Sequence, residues 1–253
     1  MLGVLGGMGP LATVDFLAKL VAVTPGKRDE DHLPVIIRSI PQIPDRTAAI
    51  LNGGRSPLAA LIENASALHQ GGAELGVIPC NTAHHWFEDL TAAVDLPFMH
   101  IADAVIDRIK RQGLDRGTIG LLATPGTIHS GFYQSKLADS GYDCLVPDEC
   151  QQARLYEGIG CVKAGKLDAA ADIFAERVDE LKQRGADLVI LGCTELPAVL
   201  DPSPFEIDST LALCESCALW YRAGCRSMMG EQDQRCSIVN HNPPMMEQMC
   251  QVV

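Results

Sequence analysis

The sequence predicts an α/β fold of two pseudo-symmetric halves, each a Rossmann-like or flavodoxin-like domain with a parallel sheet, facing each other across a cleft. Three observations carry this prediction. Short apolar runs alternate along the chain with segments of helical periodicity. The runs are continuously apolar, which is typical of strands buried on both faces of a sheet. Two stretches of sequence recur later in the chain, in the same order.

Seven short apolar runs, several of them rich in β-branched residues, predict strands. In chain order they are residues 2–5, 33–40, 75–78, 98–100, 118–122, 142–146 and 188–191. Between the runs, apolar residues recur at helical spacing and predict helices. These helices are residues 13–23, 58–69, 102–110, 128–139, 168–184 and 211–223. Because parallel strands need a long crossover, this alternation is typical of βαβ units.

An internal repeat predicts that the two halves are equivalent. Residues 72–80 begin Gly-Ala-Glu-Leu and end in a cysteine after an apolar strand. Residues 185–193 begin Gly-Ala-Asp-Leu and end in the same way, at an offset of 113. A second echo relates the apolar residues 3–5 to residues 120–122, each just before a turn that contains Gly and Pro. Sequence echoes in the same order favour two similar domains.

The repeat also sets the expected domain organisation. We expect a first α/β half over residues 1–100 and a second over residues 101–207. The helix near residues 208–225 is expected to join the first half. Residues 226–253 are rich in Met and Gln and carry little periodicity, so we expect a loosely ordered tail there.

The composition excludes several classes of partner. The net charge of −12 repels phosphate backbones and anionic lipid, so we expect no nucleic-acid and no membrane partner. Aromatic residues make up 5% of the chain, fewer than base-stacking surfaces usually need. We find no signal peptide and no apolar run of about 18 residues. Together with ten scattered cysteines, which predict reduced thiols, these features indicate a cytoplasmic protein.

Cys80 and Cys193 are the candidate catalytic residues, because each ends a buried strand and opens a polar segment. Ligands of parallel α/β sheets bind at the carboxyl ends of the strands. A cysteine at the start of a helix also lies near backbone N–H groups, which favour the reactive thiolate. Two thiols facing one cleft from opposite sides can invert a stereocentre, since one removes a proton and the other returns one to the opposite face.

This chemistry needs neither a metal nor an organic cofactor, and we expect none. The negative charge that develops on the substrate carboxylate needs hydrogen-bond donors around it. Polar residues at the same strand ends can supply them. These substrate-binding candidates are Asn81, Thr82, Thr124, Thr127 and Thr194.

Four motifs resemble those of the aspartate/glutamate racemase family, and most closely its aspartate racemase branch. They read Gly-Gly-Met-Gly-Pro at residues 6–10, Pro-Cys-Asn-Thr-Ala-His at 79–84, Leu-Ala-Thr-Pro-Gly-Thr at 122–127 and Gly-Cys-Thr-Glu at 192–195. The resemblance covers about residues 1–225. It implies a two-domain pseudo-symmetric fold, catalysis without a cofactor, and a homodimer.

The resemblance adds five residues to the candidate binding site: Met8, Gly9, Arg46, Lys163 and Glu195. Arg46 and Lys163 fall where aspartate racemases contact the side-chain carboxylate of the substrate. Glutamate racemases tend to carry an acidic or hydroxyl residue in place of Met8 and a histidine in place of Glu195, so this chain departs from that branch. The resemblance also implies that Cys193 serves the L-enantiomer and Cys80 the D-enantiomer.

Three other features allow alternative interpretations. The pattern formed by Gly7, Gly9 and Ala12 formally matches a dinucleotide fingerprint, but Pro10 interrupts it. Cys214 and Cys217 have the spacing of half a metal site, yet they lie in an apolar helical segment where core packing is the expected role. Cys225 and the tail residues Cys236, His241 and Cys250 complete a metal site only if the tail folds back. His84 can either tune Cys80 or pack against a helix.

We therefore expect a small-molecule enzyme, a cofactor-independent racemase that interconverts L- and D-aspartate, with glutamate and other amino acids as further candidate substrates. Related chemistry with similarly placed cysteines stays open, namely maleate isomerase-like, decarboxylase or lyase activity. A non-catalytic binding protein that uses the same cleft is the alternative from another class.

Overall fold

The structure is a computed structural model that describes residues 1–24, 26, 28–200 and 203–228, with the backbone alone for residues 225–228. Residues 226–228 of the expected tail continue the last helix. The rest of that tail, with Cys236, His241 and Cys250, lies outside the described residues, and so does the side chain of Cys225.

The first half of the chain forms a three-stranded parallel sheet in the order β2-β1-β3. Its strands are β1 (Leu2–Gly6), β2 (Val35–Ser39) and β3 (Leu75–Val77). The central strand β1 is buried along its whole length, and Leu2 lies beside Val35 on one side and Leu75 on the other. The helices of this half are α1 (Pro10–Val23), α2 (Arg46–Leu51), α3 (Leu58–Gln70) and α4 (Phe87–Ala93).

The second half forms a four-stranded parallel sheet in the order β5-β4-β6-β7. Its strands are β4 (Gly117–Ala123), β5 (Tyr142–Leu145), β6 (Leu188–Gly192) and β7 (Glu206–Asp208). Its helices are α6 (Pro125–Ser130), α7 (Phe132–Asp139), α8 (Glu149–Lys163) and α9 (Leu167–Gln183). The prediction of an α/β fold with two parallel sheets is confirmed.

The internal repeat corresponds to equivalent strands of the two sheets. The echo at residues 3–5 lies on β1, and its partner at 120–122 lies on β4; each is the central strand of its sheet. The echoes that lead to Cys80 and Cys193 contain β3 and β6, which occupy the same side of the two central strands. The sequence similarity therefore reflects a shared strand order.

Two helices, α5 (Ile101–Arg111) and α10 (Ser209–Met228), join the halves. They contact each other; α10 also runs along α1, whereas α5 packs against α7 and β7. Ile101 and Leu213 share an apolar cluster with Leu2 of the first sheet. Other residues of the same two helices, such as Val105, belong to the cluster around β4 and β6. Each helix thus buries apolar surface against both halves, which holds the two sheets together.

Local sequence explains several boundaries near the cleft. Pro10 starts α1 at the first helical position, where a missing N–H costs no hydrogen bond. Gly7, in the turn before it, has φ +92°, and a Cβ there would come within 2.3 Å of the backbone nitrogen of Ile40. The side chain of Thr124 caps α6 by accepting a hydrogen bond from Thr127 N.

Four elements were missed by the sequence prediction: α2, α4, α8 and β7. The helices α2 and α4 have six and seven residues, and β7 has three, so none is long enough to show a period. The helix α8 is 15 residues long with a weakly apolar buried face. A capping box formed by Asp148 and Gln151 marks its start in the sequence.

Three predicted elements differ in detail. The helix predicted over 128–139 is two helices, α6 and α7, because Gly131 adopts a left-handed conformation between them with φ +74°. The strand predicted over 98–100 makes only one bridge, between Phe98 and Gly76. The strand β2, at the edge of its sheet, is only partly buried, and its Ile37 is exposed.

Candidate active site

A cavity opens where the carboxyl ends of the strands of the two sheets meet. Cys80 follows β3 and Cys193 follows β6, and both line this cavity with 6% of their surface exposed. The cavity is narrow and is lined by side chains from both halves of the chain. The fold therefore brings together two thiols that lie 113 residues apart in the sequence.

Most of the predicted binding residues line the same cavity. They are Met8, Arg46, Asn81, Thr82, Thr124, Lys163, Thr194 and Glu195. Gly9 lines an adjoining groove that shares Arg46, Lys163 and Glu195 with the cavity. Thr127 is fully buried and does not line the cavity.

Four lining residues were missed by the sequence prediction: Asp45, Thr47, Tyr156 and Gly192. Asp45 and Thr47 flank Arg46, and Gly192 precedes Cys193. These three residues could have been predicted because they are adjacent in sequence to predicted site residues. Tyr156 lies on α8. Because that helix was not predicted, no sequence pattern placed Tyr156 near the site.

Cys193 lies against a carboxylate. Its Sγ donates a hydrogen bond to Glu195 Oε2 at 3.0 Å, and Thr194 Oγ1 donates to the same oxygen at 3.0 Å. Burial raises the pKa of Cys193 well above the usual thiol value, and the charge and hydrogen bond of Glu195 raise it further. Lys163 Nζ, 3.8 Å from Glu195 Oε1, acts in the opposite direction. At neutral pH Cys193 is therefore a thiol with a proton acceptor already in contact.

Arg46 brings a positive charge to the cavity without a carboxylate partner. Its NH1 group donates to the backbone oxygens of Ile43 and Pro44, at 3.1 and 3.0 Å. Within the described part of the chain, no ion pair of Arg46 is present; the neighbouring Asp45 instead caps α2 by accepting from Ala48 N. The other nitrogens of the guanidinium remain for an anionic ligand.

His84 is a neutral structural residue that contacts the backbone rather than the thiol of Cys80. Its Nε2 lies 3.2 Å from Ile101 N, which can only donate, so Nε2 accepts. The ring proton is therefore on Nδ1, which donates to Cys80 O at 3.0 Å. Burial lowers the pKa of His84 to about 4, as expected for a neutral ring. Of the two roles left open by the sequence, the geometry favours helix packing.

Three predicted threonines form a closed set of hydroxyl contacts between the halves. Thr82 Oγ1 lies 2.9 Å from Thr124 Oγ1 and 3.0 Å from Thr127 Oγ1, and the last two are 3.0 Å apart. Each of the three hydroxyls can donate its one proton to the next, so the set can use all three protons internally. These threonines were predicted to donate hydrogen bonds to a ligand. They can do so only if one of the hydroxyl contacts breaks, or if their backbone N–H groups donate instead.

Asn81 is held by Tyr133 of the second half and by Ser209 at the start of α10. Tyr133 OH donates to its Oδ1 at 2.7 Å, and its Nδ2 donates to Ser209 Oγ at 3.0 Å. Asn81 is 3% exposed and follows Cys80 directly. Its amide therefore lies at the cavity wall beside the first cysteine. The hydrogen bonds to Tyr133 and Ser209 set the orientation of this amide.

The other candidate sites do not assemble in the described part of the chain. No group of three or more His, Cys, Asp or Glu side chains there is arranged to hold a metal ion. Cys214 and Cys217 are fully buried, and Cys214 Sγ donates to Phe16 O at 3.3 Å. Their role is core packing, as expected.

Among the described helices, none combines the length and the apolar character that a membrane span requires.

The chain as a whole is similar to known amino-acid racemases. Residues 5–217 match the family model for Asp/Glu/hydantoin racemases. A broad specificity amino-acid racemase of Bacillus subtilis (strain 168), RacX, is 30% identical over 231 residues, which is 88% of this chain and 99% of that relative.

Two solved structures have the same fold. The aspartate racemase of Picrophilus torridus superposes with a TM-score of 0.75 at 30% identity, covering 86% of this chain and 93% of that one. An aspartate racemase homologue from Pyrococcus horikoshii OT3 superposes with a TM-score of 0.70 at 27% identity, covering 88% and 98%.

Proposed function

The chain belongs to the Asp/Glu/hydantoin racemase family, and from this premise we propose that it is an amino-acid racemase that moves the Cα proton between Cys80 and Cys193. The observation that carries the proposal is the placement of these two thiols, at equivalent strand ends of the two halves, in the wall of one cavity. We propose no metal and no organic cofactor, because positioned thiols can perform the proton transfers themselves.

The proposed reaction uses one thiolate and one thiol in each turnover. The thiolate forms an S–H bond as the Cα–H bond breaks, and the electron pair left on Cα spreads into the substrate carboxylate. The opposite thiol then gives its proton to the other face of Cα and becomes the thiolate. The product has the inverted configuration, and the reverse reaction starts from the exchanged protonation states.

Glu195 is proposed to receive the proton of Cys193 when that residue acts as the base. The Sγ to Oε2 hydrogen bond supplies the path. In this transfer the negative charge passes from the carboxylate to the thiolate, and the positive charge of Lys163 favours that thiolate. Such an acceptor matters because burial disfavours the Cys193 thiolate. By family resemblance this thiolate would act on the L-enantiomer and that of Cys80 on the D-enantiomer.

We propose aspartate as the preferred substrate, with glutamate and other amino acids as candidates for weaker turnover. Support comes from Arg46, whose charge has no carboxylate partner in the described cavity wall. A charge-assisted hydrogen bond from a guanidinium is among the strongest contacts available to a carboxylate. The aspartate racemase of Picrophilus torridus has the same fold, whereas the broad specificity of the Bacillus subtilis relative supports testing neutral substrates too.

Deuterium uptake at Cα tests this function. The protein is incubated in D2O with a panel of single-enantiomer amino acids, and Cα deuterium is measured by NMR together with the D/L ratio. We expect coupled exchange and racemisation, fastest for aspartate, that persist with EDTA and after hydroxylamine treatment. Binding without exchange would identify a binding protein, and decarboxylated, isomerised or eliminated products would identify the related chemistries.

The proposal also includes two properties of the whole protein. A homodimer is implied by the family resemblance. A cytoplasmic location is favoured by ten scattered cysteines, which predict reduced thiols. Light scattering on the purified protein and fractionation of the source cells test these two statements.

A further inference from the structure

The side-chain amide of Asn81 is contacted at both of its polar atoms by residues that do not line the cavity. Tyr133 OH lies 2.7 Å from Oδ1, and Ser209 Oγ lies 3.0 Å from Nδ2. Tyr133 and Ser209 are both fully buried, so water does not compete for these contacts. Neither residue belongs to a motif that the sequence singles out.

The hydrogen bonds determine which way the amide points. Ser209 Oγ donates its only proton to Leu191 O at 2.8 Å, so toward Asn81 it can only accept. The atom facing Ser209 is therefore the NH2 group, and Tyr133 must donate to Oδ1. Burial raises the pKa of Tyr133, so the phenol keeps the proton that this bond needs. A flipped amide would place Oδ1 against the Ser209 oxygen, which has no proton left to donate.

This orientation leaves one amide proton unassigned. An NH2 group has two hydrogens, and Ser209 takes one of them. Because Asn81 lines the cavity beside Cys80, the second can be donated to a ligand there. A fixed donor of this kind stabilises a developing carboxylate charge without reorganising during the reaction.

The same bonds connect the strand ends that carry the two cysteines. Asn81 follows Cys80 at the end of the first sheet, and Leu191 lies on β6 two residues before Cys193. Ser209, the first residue of α10, bridges them. The path from Asn81 by Ser209 to Leu191 thus links the two strand ends by hydrogen bonds.

We propose that Tyr133 and Ser209 are positioning residues that hold the Asn81 amide as a donor to the reacting carboxylate. The inference rests on the proposed racemase function. It predicts that both residues act on turnover through Asn81 and not by direct contact with the substrate.

The test is a pair of double-mutant cycles. Tyr133→Phe and Ser209→Ala are each made alone and together with Asn81→Ala, and kcat and KM for racemisation are measured. Each single variant should lose about 10- to 100-fold in kcat, the effect of one buried hydrogen bond, with a smaller change in KM. In the Asn81→Ala background, neither substitution should reduce kcat further, because the amide through which they act is gone.

A matched control separates positioning from general loss of stability. Tyr142, on the far strand β5, is also buried, and its OH donates to Leu114 O at 2.5 Å. Tyr142→Phe should lower the thermal midpoint to an extent similar to Tyr133→Phe while leaving kcat unchanged.

If Tyr133→Phe or Ser209→Ala reduces kcat by the same factor in Asn81→Ala as in wild type, the inference is overturned. The proposed racemase function would stay intact in that case. The two variants give independent arms, so misfolding of either one leaves the other cycle decisive. If the wild-type protein exchanges no Cα proton, the proposed function fails and the inference fails with it.

Discussion

At the scale of single residues, the formal charges of the side chains that line the cavity are balanced before a ligand enters. Arg46 and Lys163 supply two positive charges, and Asp45 and Glu195 supply two negative ones. Only Lys163 and Glu195 approach each other as an ion pair, at 3.8 Å. Since Asp45 is occupied as a helix cap, the guanidinium of Arg46 is the charge best placed to meet a substrate carboxylate.

Arg46→Ala should reduce the preference for an acidic substrate. A charge-assisted hydrogen bond contributes about 1.5–3 kcal/mol, so we expect the ratio of kcat/KM for aspartate to that for a neutral amino acid to fall by about 10- to 150-fold. Lys163→Ala should act in the same direction but less, because its side chain is 56% exposed and solvent screens its charge.

Arg55→Ala and Lys166→Ala are matched controls, since both side chains are exposed and neither lines the cavity. They should leave the substrate ratio unchanged. A wild-type preference for neutral amino acids, or an unchanged ratio in both cavity variants, would replace the acidic substrate with a broad or neutral one.

Glu195→Gln should make Cys193 titrate at lower pH. The substitution removes a negative charge that raises the pKa of this thiol, whereas burial, the larger cause, remains. At a given pH a lower pKa means more thiolate, which is the form that reacts with iodoacetamide. The pH midpoint of alkylation at Cys193, followed by peptide mass spectrometry, should therefore decrease.

Glu215→Gln serves as the control, because Glu215 is paired with Arg108 and Arg111 away from the cavity. It should leave the alkylation midpoint of Cys193 where it is. An unchanged midpoint in Glu195→Gln would show that Glu195 does not control this thiol.

The sequence identified the site residues that belong to a repeat or a motif. It missed the residues that contact the site without lining the cavity. Cys80 and Cys193 could be paired because each follows an equivalent strand. Tyr133 and Ser209 could not be found in this way. A tyrosine within a helix and a serine at a helix start look the same in sequence whether or not they contact a site.

At the scale of secondary-structure elements, the start of α5 depends on two neutral histidines. His84 Nε2 accepts from Ile101 N, and His100 Nδ1 accepts from Ala102 N, so both satisfy backbone donors at the helix start. Burial lowers the pKa of His100 to about 2. Protonation of either ring would replace an acceptor with a donor facing another donor.

This arrangement predicts a loss of stability in weak acid. The pKa of His84 falls from 6.5 to about 4 on folding, so between these values the unfolded chain binds more protons than the folded one. The contribution is complete above pH 6.5 and decreases as the pH falls toward 4, by roughly 3 kcal/mol. Urea unfolding at several pH values should show this decrease in the free energy of unfolding.

His84→Gln should remove the part of the slope that His84 causes, although it lowers stability at pH 7. His69→Gln is the control, because His69 is exposed at the end of α3. The idea fails if wild type and His84→Gln lose the same free energy of unfolding between pH 7 and pH 5.

Apart from the 15-residue α8, the elements that the sequence could not predict are short or irregular. Periodicity needs several turns, and α2 and α4 offer fewer than two. The break between α6 and α7 at Gly131 depends on a left-handed residue inside an otherwise helical pattern. Arg46 lies on α2, and Thr127 of the three contacting threonines lies on α6. The structure of these short segments depends more on tertiary contacts than on local sequence pattern.

At the scale of the whole molecule, two similar sheets are joined by α5 and α10, which pack against both. This arrangement follows from the repeat, since duplicated strand ends meet across one cavity. We propose the boundary between the halves near residue 100, with α10 assigned to the first half because it runs along α1. The sequence predicted two halves but could not show how far each joining helix is buried.

The central claim is that two thiols, one from each half, act on opposite faces of one carbon. The most direct test is the reaction of L-aspartate in D2O with wild type, Cys80→Ser and Cys193→Ser, with Cα deuterium measured separately in both enantiomers. We predict that early D-aspartate carries deuterium while remaining L-aspartate does not, and that each serine variant loses racemisation by orders of magnitude with an unchanged circular dichroism spectrum. Wild-type racemisation in either variant, or early deuterium in the remaining L-aspartate, would contradict the account.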